Sequence, residues 1–136
     1  MDMTIEQAQG TVPVTILALQ GELDASNYQN VVAKAQELYD AGTRHLLLDL
    51  SELSFMSSSG LAALHMIAVL MRGEQPPDPE YGWAAFHAID RDRDSGKQQP
   101  VKLLNPQPLI ERTLKNSGFD QFFDMVTDKA AAIASF

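Results

Sequence analysis

Residues 51–61 read Ser-Glu-Leu-Ser-Phe-Met-Ser-Ser-Ser-Gly-Leu and join a short apolar run to a helix-forming stretch. The hydroxyls at 57–59 therefore stand at a helix start, where the first backbone amides have no carbonyl behind them. Serine is a favoured N-cap, but one serine suffices to cap one helix. Three in a row, Ser57, Ser58 and Ser59, leave hydroxyls for a second use. Helix amides and the positive end of the helix dipole accommodate phosphate, so a phosphoryl group accepted here need not disturb the fold. Capping and phosphoryl acceptance are both open on these residues alone. A nucleophilic hydrolase serine fits poorly, because there is no Gly-x-Ser-x-Gly elbow and no histidine close in sequence.

The other residues with chemical potential form no recognisable set. His45, His65 and His87 stand far apart and make no metal-ligand pair, and His65 on an apolar helix reads as a structural histidine. Asp90, Asp92 and Asp94 before Gly96 hint at a calcium loop. The glycine comes one position late, however, and the closing glutamate would fall on Val101, so a solvated turn is the better reading. Gly96-Lys97 lacks the earlier glycine and the following hydroxyl of a phosphate loop, and no Gly-x-Gly-x-x-Gly follows a strand. A phosphotransfer cluster of Asp24, Asp49 and Ser58 around a metal has no further support in the chain. We therefore expect no metal, no cofactor and no catalysis.

The elements that must position the serines follow from periodicity. Residues 12–21 read as a strand apolar on both faces, hence covered on both, and residues 4–9 as a weaker edge strand before a turn at Gly10. Ser26-Asn27-Tyr28-Gln29 has capping-box spacing. Tyr28, Val31, Val32, Ala35, Leu38 and Tyr39 then recur at helical intervals up to Gly42. Residues 45–50 predict a central parallel strand, and the serines open a helix through Met71. A strand at 101–104 precedes a helix started by Asn105-Pro106 and stopped at Gly118. A short strand at 122–126 and a helix capped by Asp128 complete the series. Alternating strands and helices require parallel pairs, and so an α/β fold with a mixed, mostly parallel sheet and about four helices packed on it.

With 136 residues, one domain spanning 1–136 is expected. Hydrophobic residues make up 45% and charged residues 21%, which excludes a disordered chain. The absence of cysteine excludes disulfides and thiol chemistry. Ten Lys and Arg against 18 Asp and Glu leave a net charge of −8, which argues against nucleic acid and anionic membranes as partners. The first residues lack a signal-peptide pattern and the longest apolar stretch is too short to span a bilayer, so we expect a cytoplasmic protein without membrane insertion. Residues 73–99 break the rhythm: three of the seven prolines, six acids against three bases, and Trp83 all fall there. This segment reads as an inserted loop. Residues 81–89 could form a short helix within it, and Trp83 with Phe86 suggests docking or self-association.

Three stretches carry a resemblance. Gly21-Glu22-Leu23-Asp24, the run from Leu48-Asp49-Leu50-Ser51 through Phe55-Met56 to Ser58-Ser59-Gly60-Leu61, and Asn116-Ser117-Gly118-Phe119-Asp120 with Phe122-Phe123 are similar to those of STAS domains. More narrowly, the chain resembles bacterial anti-sigma factor antagonists, over nearly everything outside residues 73–99. The resemblance implies the STAS fold and a regulatory role in transcription without catalysis. It implies that the unphosphorylated protein binds an anti-sigma factor serine kinase and so releases a sigma factor. Phosphorylation of the loop serine ends that complex, and a serine phosphatase resets it. By position the acceptor is Ser58, with Asp24 beside it or serving only as a turn residue, and Asp24, Ser57, Ser58, Ser59 and Gly60 facing the partner. The family usually places an aspartate before the acceptor; this chain has Ser57 there, which makes Ser57 a competing acceptor. An alternative within the same fold is a non-switching STAS subunit of a lipid-importing ABC transporter or a stress-sensing assembly.

Overall fold

The computed structural model describes residues 1–74 and 98–136. The expected helix at 81–89, Trp83 with Phe86, and the acidic turn at Asp90, Asp92 and Asp94 all lie outside the described residues. So does His87. Strands β1 (Asp2–Gln9) and β2 (Pro13–Leu23) form an antiparallel hairpin. Helix α1 (Tyr28–Asp40), β3 (Leu46–Asp49), β4 (Leu53–Met56) and α2 (Ser58–Met71) follow. Then come β5 (Val101–Leu104), α3 (Pro108–Asn116), a 3-10 turn (Phe119–Gln121), β6 (Asp124–Val126) and α4 (Lys129–Ala134).

The sheet runs β1-β2-β3-β5-β6, parallel from β2 onward, so the α/β mixed sheet expected from the alternation is present. Strand β2 organises it. Its first half pairs β3, through Thr15↔Leu46 to Ala18↔Asp49, and its last three residues pair β4 instead. It is apolar on both faces because both are covered. Leu17, Leu19 and Leu23 belong to the main core with α1, α2 and α3; Val14 and Ile16 lie in a smaller cluster with Leu47, Leu104 and Ala132 of α4. Helix α2 is apolar around its circumference, and Ala62 through Met71 are all buried. His65 is part of that core, 1% exposed with its ring 5.8 Å from Phe122. Gly118, at φ +81, ends the loop after α3 and lets Phe119, Phe122 and Phe123 fold under it.

Four local expectations are corrected. Strand β4 was not expected, because the register shifts between Gly21 and Glu22 and leaves Ser54 as an extra residue against β2. Such a bulge destroys the alternation by which a strand is read. The capping box at Ser26 does not form: Asn27 precedes α1, and Ser26 turns back to Asp24 instead. Helix α3 starts two residues later than Asn105-Pro106 predicts, with Pro108 at its first position and Gln107 before it. Asn105 itself is left-handed (φ +49), its amide donating to Val126 O at 2.7 Å, so it turns the chain toward β6 rather than capping a helix. The last strand is only Asp124–Val126, since Phe119–Gln121 is helical and Phe122 lies under it.

Candidate functional site

Two neighbouring parallel strands end together. Leu23 and Met56 are register partners, so the next residue of each, Asp24 and Ser57, emerges at the same edge of the sheet. The Ser57 amide donates to Leu23 O at 2.9 Å, which ties the two loops together. The sequence-predicted residues Asp24, Ser57, Ser58, Ser59 and Gly60 are thus gathered in one place, though 32 positions separate the two loops. Asp49 is not among them: its Oδ1 accepts from the amide and hydroxyl of Ser51, at 3.0 and 2.7 Å, and closes the β3–β4 turn.

The serines divide their work. Ser57 has extended backbone geometry (φ −85, ψ 178), and its Oγ accepts the Gly60 N–H at 3.4 Å. It is the N-cap, and it is partly buried. Ser58 is the first residue of the helix and is exposed. Ser59 is partly buried behind it. Gly60 is buried, and a Cβ there would stand 2.5 Å from Met56 Cγ and 3.1 Å from Leu23 Cγ. Only glycine lets α2 approach the ends of β2 and β4 so closely.

Asp24 anchors the facing loop. Its Oδ1 accepts from the Ser26 amide at 2.9 Å and the Ser26 hydroxyl at 2.5 Å. The Ser26 hydroxyl, with help from its amide, holds the Asp24 carboxyl below its ordinary 3.8. Asn27 completes the turn, accepting from the Asp24 amide (3.0 Å) and donating to Glu22 O (2.8 Å). Asp24 is therefore a turn-forming aspartate and also a fixed negative charge at the edge where the serines begin. Sequence reasoning missed the part played by Asn27. Its one signal was the Asp-Ala-Ser-Asn run, whose side chains favour closing turns on their own backbone.

One more side chain lies on the strand that leads into the site, and another braces the turn before that strand. Phe55, two positions before Ser57 on β4, is 42% exposed, an unusual state for a phenylalanine on a strand. Gln107 donates from Nε2 to Ser51 O at 2.8 Å, bracing α3 against the β3–β4 turn. Among the described residues no cluster of three or more His, Cys, Asp or Glu is placed to hold a metal. Nor is any helix there long and apolar enough to cross a membrane.

Residues 3–73, just over half of the chain, match the family model of the STAS domain. The chain belongs to the STAS domain family. It is similar along its whole length to BtrV of Bordetella bronchiseptica, an anti-sigma factor antagonist by name: 24% identical over 136 residues, covering 100% of this chain and 95% of BtrV. Its fold is that of a crystallised anti-sigma factor antagonist from Mycobacterium paratuberculosis, at TM-score 0.68 and 17% identity over 98% of this chain and 92% of that one. The phosphorylated form of SpoIIAA, a Bacillus cell fate determinant, matches at TM-score 0.53 and 18% identity over 96% of each chain.

Proposed function

We propose that this chain is an anti-sigma factor antagonist switched by phosphorylation on Ser58. In the unphosphorylated form it binds an anti-sigma factor serine kinase through the edge formed by Asp24, Ser57, Ser58, Ser59 and Gly60, and a sigma factor is released. The observation that carries this reading is the division of labour at the start of α2. Ser57 caps the helix, so the exposed Ser58 hydroxyl is spare. The names of the relatives, one of them solved in a phosphorylated form, point the same way.

The kinase supplies ATP. Ser58 Oγ attacks the γ-phosphorus, the Oγ–P bond forms, the bond to the β-phosphate oxygen breaks, and ADP leaves. The hydroxyl proton passes to a base of the kinase. The product carries about −1.5 to −2 charges at neutral pH. The dipole of α2 favours it by about 0.3–1 kcal/mol while it sits in water. Pressed against a partner without a cation, the same charge costs several kcal/mol, and every ~1.4 kcal/mol is tenfold in affinity. The charge therefore changes binding far more than folding. A serine phosphatase restores the binding form, and the chain contributes no catalysis of its own.

Incubation with candidate anti-sigma factor kinases and ATP, read by mass spectrometry and co-purification, tests this. The expected result is a single phosphate on Ser58 that releases the kinase. Full modification of a Ser58→Ala variant would move the acceptor to Ser57. Stable co-purification with a transporter ATPase, with no phosphate, would overturn the switch.

A further inference from the structure

Lys102 lies on β5, in the interior of the sheet, and is 6% exposed. A lysine in that position needs partners for its ammonium, or burial would be prohibitive. It finds them in the last turn of α4 and beyond. Nζ donates to Ser135 O at 3.0 Å and Ser135 Oγ at 2.9 Å, and it stands 5.0 Å from the centre of the Phe136 ring. The Ser135 hydroxyl in turn donates to Ala132 O at 2.6 Å, so its lone pairs are free to accept from the lysine. It also pairs with Asp124 Oδ2 of the neighbouring strand at 3.8 Å, where Lys102 and Asp124 are register partners.

Apart from Lys102, the α4 segment is held by a small apolar cluster and by the Phe136 ring, edge-on to His45 at 5.7 Å. Helix α4 has six residues, well short of the roughly 12–15 that an isolated helix needs in water. Ala132 is its only fully buried side chain, with Ile133 and Phe136 packed in part over Val14, Ile16, Leu47 and Leu104. At its other end Lys129 meets Glu6 at 2.7 Å, but both are about half exposed, and such surface pairs contribute little. Segments with few buried contacts open first, as units. Opening here does not strand a buried charge, because water enters as the segment leaves and solvates the ammonium.

We propose that residues 128–136 form a strap that opens while the rest of the domain stays folded, with Lys102 as its catch, uncovering a second apolar face of the sheet. This goes beyond the role proposed for Ser58 and does not depend on it. The face lies beneath the start of β2, whereas the serine edge adjoins its end.

Amide hydrogen exchange on the full chain tests the proposal, and two variants act from opposite sides. Lys102→Met removes the catch. Gly10→Ala wedges the strap from beneath, since a Cβ on Gly10 would stand 2.6 Å from Ile133 O and 3.1 Å from Ile133 Cγ2. In the parent, the amides of Ala131, Ala132 and Ser135 should exchange at least about tenfold faster than those of Leu17 and Leu48. Each variant should speed strap exchange by a further factor of about ten and leave the core amides within about twofold. A common rate and denaturant dependence for strap and core in the parent would overturn the proposal. So would variants that accelerate both regions equally, or neither. If Lys102→Met fails to fold, Gly10→Ala alone still decides.

Discussion

Ser57 and Ser58 are chemically identical neighbours, and only their place at the helix start separates them. Ser57 Oγ accepts from Gly60 N–H, so Ser57→Ala should lower unfolding free energy by about 0.5–2 kcal/mol in urea titrations, the usual loss for a cap, without preventing phosphorylation. Ser58 makes no such bond; Ser58→Ala should leave stability within about 0.5 kcal/mol and abolish phosphate incorporation. Ser58→Asp should weaken kinase binding while the melting temperature stays nearly constant. At Gly60 the effect is steric: Gly60→Ala drives a methyl into Met56 and Leu23 and should cost about 1–3 kcal/mol. The Asp24 carboxyl is pulled below its ordinary 3.8, chiefly by the Ser26 hydroxyl. Whatever it contributes is therefore present above that ordinary value and lost as pH falls through the lower folded one. An NMR titration should place the Asp24 midpoint below 3.8, and Ser26→Ala should move it up toward that value.

Helix α2 and strand β4 illustrate two kinds of element. From Ala62 onward helix α2 is buried around its circumference, so those side chains are core wherever they point. Leu64→Ala should cost about 2–5 kcal/mol by chemical denaturation, whereas Leu109→Ala on the exposed face of α3, where the leucine is 51% exposed, should change stability by no more than about 0.5 kcal/mol. The helix was legible in the sequence because residues 61–71, apolar at every position but His65, follow a cap. Strand β4 was not. Its four residues carry a bulge at Ser54, whose Oγ donates to Gly21 O at 3.0 Å in place of regular pairing, and no period-two pattern survives. Yet β4 is the element that brings Ser57 beside Asp24.

At the scale of the whole molecule, the break at residues 73–99 has its attachment points far from the serines. Helix α2, with 14 residues at about 1.5 Å each, carries the chain roughly 20 Å from Ser58 before the segment begins. Its two ends are held together: Arg72 Nη1 donates to Gln98 Oε1 at 3.1 Å, and the Gln98 amide donates to Phe122 O at 2.9 Å. Replacing residues 75–97 with a short Gly-Ser linker should accordingly leave the domain folded and open to phosphorylation on Ser58, with any change confined to self-association or a secondary contact. Circular dichroism, the kinase assay and sedimentation check each part. An unfolded product would place Trp83 in the core.

Periodicity determined most of the order of strands and helices, because a strand or helix buried on a known face repeats with a fixed spacing that single residues cannot hide. Local chemistry determined that a serine would cap α2 and that Gly118 would end the helical segment before the phenylalanines. The pairing of strands was beyond its reach. Leu23 and Met56 become partners only when β4 replaces β3 beside the end of β2, and that exchange sets Asp24 against Ser57. The choice of Asn27 over Ser26 before α1 was settled likewise by the Asp24 carboxylate, which claims the Ser26 hydroxyl for the turn. The burial of Lys102 is the clearest case. Nothing in the strand pattern at 101–104 places this lysine; only the return of α4 across the sheet, bringing the Ser135 carbonyl and hydroxyl within 3.0 Å, makes an interior lysine possible.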